Sequence, residues 1–138
     1  MRSSPATDST SSGTIASVGA ALTLDRIGER VTALLSGGGY ATRVAVPIGQ
    51  VMSVPEGVDI VTAGALPEVA CTVWSNLVHV AALREGEVLL IHGGGSGIGT
   101  MGIQIARVLG AKVAVTAGSQ RKLDACAKLG ADILINYN

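Results

Sequence analysis

Between Val88 and Lys122 the chain gathers the residues that could hold a charged ligand. The run Val88-Leu89-Leu90-Ile91-His92-Gly93-Gly94-Gly95-Ser96-Gly97-Ile98-Gly99 starts as a short apolar strand and passes into a glycine-crowded turn. Small residues let backbone N–H groups approach a diphosphate closely, and a helix leaving such a turn presents its positive end to the same anion. The spacing is imperfect. The pattern G-x-G-x-x-G needs glycine at 96, where serine stands, and the literal match, Gly97-x-Gly99-x-x-Gly102, starts inside the helix. Context supports the turn, because Ile98, Met101, Ile105, Val108 and Leu109 recur at helical spacing after it. A flexible strand-to-helix loop is the plain alternative.

A second cluster lies about 20 residues further on, where a cofactor with a free 2′-hydroxyl meets Asp or Glu. No acid stands between Lys112 and Arg121, and the first, Asp124, is already inside a helix. Ser119 offers a hydroxyl there, and Arg121 and Lys122 offer positive charge. That trio suits a 2′-phosphate, and so NADP(H) rather than NAD(H). Ser119 could equally be an ordinary helix cap beside two solvated cations. Cations in a first helical turn, however, oppose the helix dipole by about 0.3–1 kcal/mol each, and a bound anion removes that penalty.

The elements that position these residues read as β-α-β-α-β: strand 88–92, helix 97–109, strand 112–116, helix 119–129 and strand 132–136. Gly110 and Gly130 stand just past the helices, at positions that favour a left-handed cap. Such alternation with short links predicts a parallel sheet with right-handed crossovers, the first half of a doubly wound nucleotide-binding fold. Residues 69–82 carry helical spacing through Val69, Val73, Leu77 and Val80. Earlier, Arg30 to Leu35 reads as a strand, Ser36 to Gly39 as a turn, and Tyr40 to Val46 as a second, alternating strand. Residues 1–12 are Ser/Thr-rich without an apolar core, which suggests a disordered leader. The chain stops after the third strand of the α/β unit, so it is expected to be a fragment of a longer enzyme, with strand 88–92 open to self-association.

Bulk properties narrow the classes. Ten basic and ten acidic residues cancel, which gives no electrostatic argument for nucleic acid or a membrane surface. Two Tyr, one Trp and no Phe provide no stacking platform for single strands. No apolar run approaches the ~20 residues that span a bilayer. Cys71 and Cys126 sit in helix-like apolar patterns and read as buried thiols in a reducing, cytoplasmic setting. With His79 and His92 they show no zinc-ligand spacing, so no metal site is expected.

The stretch from about residue 13 to 137 resembles the zinc-independent quinone oxidoreductases, the zeta-crystallin-like branch of the medium-chain dehydrogenase/reductases. The resemblance is carried by Gly28-Glu29-Arg30-Val31-Thr32-Ala33-Leu34, Gly37-Gly38-Gly39-Tyr40-Ala41 and Ala65-Leu66-Pro67-Glu68-Val69-Ala70-Cys71-Thr72-Val73-Trp74. It continues through the glycine turn, Val115-Thr116-Ala117-Gly118-Ser119 and Ile135-Asn136-Tyr137. It implies a partial GroES-like, substrate-side β segment over 13–58 and a partial Rossmann NADP-binding domain over 59–138. It further implies NADPH-dependent reduction of a quinone or activated carbonyl, by a homo-oligomer when full-length. By the same likeness Gly94, Ser96, Gly97, Ile98 and Gly99 would form the diphosphate turn, Ser119, Lys122 and Tyr137 would hold the 2′-phosphate, and Thr72 would set a hydroxyl beside the nicotinamide. Helix packing for Thr72 and cover of a sheet edge for Tyr137 are the plain alternatives. The family's first strands, with an Asn-Arg motif, and its second nucleotide-binding half are absent, and Thr42-Arg43 replaces an acidic-aromatic pair.

Three functions follow for testing: a hydride-transfer enzyme, a nucleotide-binding fragment without turnover, and a short-chain dehydrogenase. The glycine turn also resembles that of the last class, but its Tyr-x-x-x-Lys is missing and over ninety residues precede the turn.

Overall fold

Thr- and Val-rich runs near the start of the chain build a small antiparallel sheet. Its strands are β1 (Thr10–Thr14), β2 (Arg30–Leu34) and β3 (Val51–Ser53), in the order β1-β2-β3. The computed structural model describes residues 10–20 and 26–138, in two compact units that divide between Glu68 and Val69. In the first unit Thr32 stands opposite Ser12 on one side and Met52 on the other. Its buried hydroxyl lies 3.0 Å from the carbonyls of Ser11 and Ala63. The short helix α1 (Ile60–Gly64) is capped by Asp59, whose carboxylate accepts from the amides of Val61 and Thr62 at 3.0 Å each. Those bonds satisfy two of the donors that every helix start leaves over. The Thr62 hydroxyl donates to the same carboxylate and, with the two amides adding to it, holds the Asp59 carboxyl below its ordinary range.

Two expectations for this unit are corrected. Residues 40–46 are not a strand. Both edges of β2 are already paired, and Tyr40 is 90% exposed, with no surface to pack against. The leader expected over 1–12 lies largely outside the described residues, yet its last three, Thr10 to Ser12, form part of β1. The Ser11 hydroxyl donates to the Gly39 carbonyl and that of Ser12 to the Ile60 carbonyl, so these polar side chains are tied to backbone rather than to water.

The helix α2 (Leu66–Trp74) starts three residues before the division and runs on in the second unit as π-helix over Ser75–Val80. The chain then alternates through β4 (Val88–His92), α3 (Gly97–Val108), β5 (Lys112–Ala117), α4 (Gln120–Lys128) and β6 (Ile133–Asn136). The three strands form the expected parallel sheet, ordered β4-β5-β6, with Leu90 beside Ala114 and Thr116 beside Ile135. β5 is the central strand and is buried from Val113 to Ala117. β4 lies at an edge, with Val88 and Leu90 about half exposed. Val73, Ile103, Val113, Val115, Leu123 and Cys126 form the core, where each large apolar side chain stabilises by roughly 1.5–3 kcal/mol. Gly110 and Gly130 take φ of 79° and 107° just past α3 and α4, the left-handed ends their positions suggest.

The two cysteines part company. Cys126 is fully buried, but Cys71 is exposed. Val69, Val73 and Leu77 line one side of the helix, and Cys71, two residues after Val69, falls on the opposite side. Among the described residues no helix is long and apolar enough to cross a membrane.

Candidate nucleotide-binding site

The glycine turn stands at the carboxyl end of β4, and two of its glycines are fixed by packing. A Cβ on Gly99 would lie 2.5 Å from the Gly93 carbonyl oxygen and 2.6 Å from that of Gly94. A Cβ on Gly94 would lie 2.7 Å from Val115 Cβ and 3.1 Å from Cys126 Sγ. Gly102 sits where a Cβ would meet Ile91 Cδ1 at 3.1 Å, so α3 rests close on β4. Ser96 caps α3, its Oγ accepting the Gly99 amide at 3.0 Å. The Gly94 amide donates to the Thr116 carbonyl on β5 at 2.9 Å, and the Ser96 amide to the Gly93 carbonyl at 3.0 Å.

The donors that remain unspent define what the turn can do. Within the described residues the amides of Gly95, Gly97 and Ile98 donate to nothing, and the first turn of α3 carries no acidic residue. Oriented N–H groups at a helix start, with no carboxylate to neutralise them, suit an oxyanion.

The neighbouring strand ends in a second such place. Ser119 precedes α4 in extended conformation, and its hydroxyl makes no capping bond, so it is not the ordinary cap that its position allows. Arg121 and Lys122 are exposed in the first turn of α4, without an acidic residue there and without an ion pair among the described residues. Lys122 reaches the glycine turn: a Cβ on Gly95 would lie 3.4 Å from Lys122 Cβ, Cγ and Cδ. The Tyr137 ring lies over Gly118, where an added Cβ would come within 2.8 Å of its hydroxyl oxygen. The structure therefore brings Lys122 beside the turn, and Tyr137 beside the loop that carries Ser119.

Thr72, on α2, meets the turn only through a pocket whose lining it shares with Ile98. It lines an apolar pocket of about 250 Å³ together with Asn76, Leu77, His92 and Ile98. Its carbonyl accepts from Asn76 Nδ2 at 2.8 Å, on the helix stretch that leads into the π-turn. Two site residues went unseen in the sequence. Gly95 holds an unspent amide, whereas the amides of the expected Gly94 and Gly99 are already committed. Thr116 receives the Gly94 amide. Aligning β4 with β5 in parallel register would have pointed to it, since it pairs with His92, the last residue before the turn.

With this geometry in place, comparison with known proteins is informative. Residues 97–138 match the zinc-binding dehydrogenase family. The chain is 38% identical over 110 residues to a low-reducing polyketide synthase from Aspergillus calidoustus, covering 80% of this chain and 5% of the synthase. It superposes on the CurK enoyl reductase with a TM-score of 0.85 at 30% identity, over 92% of this chain and 38% of that one. A quinone oxidoreductase from Thermus thermophilus, also solved in complex with NADPH, gives 0.74 at 35% identity, over 80% and 37%. The chain thus spans a small part of the synthase and under two fifths of either structure. The family match and the structures support a place in the medium-chain dehydrogenase/reductase superfamily, whose α/β architecture the second unit shares. Among the described residues no three or more His, Cys, Asp or Glu side chains come together as a metal site.

Proposed function

We propose that this chain holds the diphosphate and 2′-phosphate of NADP(H). On this proposal it belongs to an NADPH-dependent oxidoreductase of the zinc-independent, zeta-crystallin-like branch, with a quinone or similar activated carbonyl as acceptor. The observation that carries the reading is the set of unspent groups at two adjacent strand ends. These are the amides of Gly95, Gly97 and Ile98 after β4, and the Ser119 hydroxyl with the Arg121 and Lys122 cations after β5. The NADPH complex of the Thermus enzyme supports it.

Each residue then has a task. Gly97 and Ile98, with Gly95, donate to the diphosphate; Gly94 and Gly99 permit the packing that presents them; Ser96 holds the start of α3. Ser119, Lys122 and Tyr137 hold the 2′-phosphate, and Thr72 sets its hydroxyl near the nicotinamide. When bound, NADPH supplies the hydride. The first unit serves as the substrate-side β segment, in a soluble, cytoplasmic homo-oligomer that binds neither nucleic acid nor membrane.

One finding favours a second acceptor. A reducing polyketide synthase and an enoyl reductase stand among the relatives, which points to an α,β-unsaturated thioester. Both acceptor classes are conjugated and electron-poor, so both suit hydride chemistry. Titration tests the cofactor: NADPH should bind at least about tenfold more tightly than NADH, roughly 1.4 kcal/mol, and equal affinities would refute the phosphate pocket. Following NADPH oxidation with benzoquinone and with a crotonyl thioester separates the acceptors. Tight binding with flat traces for both would identify a nucleotide-binding chain without turnover.

A further inference from the structure

Two polar side chains are buried among the described residues, Thr32 and Thr116. Thr32 finds backbone carbonyls within the first unit, whereas Thr116 serves the glycine turn. The parallel register sets Thr116 beside His92, whose Nδ1 lies 3.3 Å from the Thr116 hydroxyl. The Gly93 amide donates to that hydroxyl at 3.2 Å, and the Gly94 amide donates to the Thr116 carbonyl at 2.9 Å. Three consecutive residues leading into the turn therefore end on one residue of the neighbouring strand. A plain strand ladder would supply the carbonyl alone. The hydroxyl is the added element, and a β-branched side chain holds it stiffly.

We infer that Thr116 is a positioning residue for the turn. Its hydroxyl and carbonyl together fix the Gly93-Gly94 backbone, from which the amides of Gly95, Gly97 and Ile98 are presented. The inference rests on the proposed diphosphate role of those amides. Without the hydroxyl, the Gly93 amide loses its acceptor in a partly buried place. The peptide must then rotate toward water, and the donors after it move with it.

Thr116→Val keeps shape and branching and removes the acceptor, whereas Thr116→Ser keeps the acceptor. NADPH and NADH should both bind Thr116→Val about tenfold more weakly, and Thr116→Ser should recover to within about threefold of the unmodified chain. Adenosine 2′-monophosphate, which lacks the diphosphate, should bind all three alike. A loss of that ligand in step with NADPH would mean general damage and overturn the inference. If the unmodified chain binds neither dinucleotide, the diphosphate reading itself fails. If it binds them and Thr116→Val binds as tightly, the positioning role alone fails. Should Thr116→Val not fold, amide hydrogen exchange on the unmodified chain decides: Gly93 and Gly94 should be protected at least about tenfold over Gly95, and equal exchange would overturn the role.

Discussion

Replacing Gly99 with alanine sets the packing of the turn against helix propensity within a single residue. The added Cβ would stand 2.5 Å from one backbone carbonyl oxygen and 2.6 Å from another, so the turn would have to retreat by about 0.9 Å to reach ordinary contact at 3.4 Å. Overpacking of this kind costs about 1–3 kcal/mol, and rigid backbone obstacles place Gly99→Ala at the upper end. Exchanging glycine for alanine in a helix returns about 1 kcal/mol, leaving a net loss of about 2 kcal/mol. Gly102→Ala is the control on the same helix. Its nearest obstacle is the tip of Ile91 at 3.1 Å, which can move by a few tenths of an ångström. Propensity then offsets the clash, and stability should change by less than about 0.5 kcal/mol. The assay is urea unfolding followed by the fluorescence of Trp74, the single tryptophan, which lies in the second unit. With m of about 1–3 kcal/mol/M, Gly99→Ala should lower the midpoint by roughly 1 M and abolish NADPH binding. Gly102→Ala should keep both. Equal midpoints for the two variants would refute the packing account of the turn.

Three further outcomes are expected. Lys122→Gln should weaken NADPH binding by about tenfold while leaving NADH within about twofold, as read by parallel titrations at low salt. Equal losses would place Lys122 away from the 2′-phosphate. Native chain should react with one equivalent of a disulfide-exchange reagent at Cys71. Cys126 should react only after denaturation, because burial pushes its thiol pKa up and removes access. In the first unit, hydrogen bonds from Arg26 and Ser53 hold the Glu29 carboxyl at about 2, against an ordinary 4.5. Its contribution is fully present above 4.5 and is lost as pH falls from there toward 2, so acid unfolding of this unit should flatten in Glu29→Gln over that window.

The alternating half of the chain was legible because its signals are local. Apolar period, cap glycines and short links each span a few residues, and β4 to β6 lie within two residues of the expected bounds. Residues 40–46 misled for the opposite reason. Their alternation is strand-like, but a strand needs an edge to pair with, and β1 and β3 occupy both edges of β2. The π-helical stretch at Ser75–Val80 leaves no mark in the apolar spacing that suggested an ordinary helix. The turn itself was found from its glycines, but which amides remain free depends on Thr116, more than twenty residues later. At the second cluster the absence of acid near Ser119 is legible directly, since it needs no tertiary contact to read.

Amide-resolved NMR during an NADPH titration tests the central proposition most directly, because it sees the donors themselves. The Gly95, Gly97 and Ile98 amides should move first and most, with the Lys122 side chain following for NADPH but not for NADH. Saturable binding that left those three amides unmoved would contradict the account.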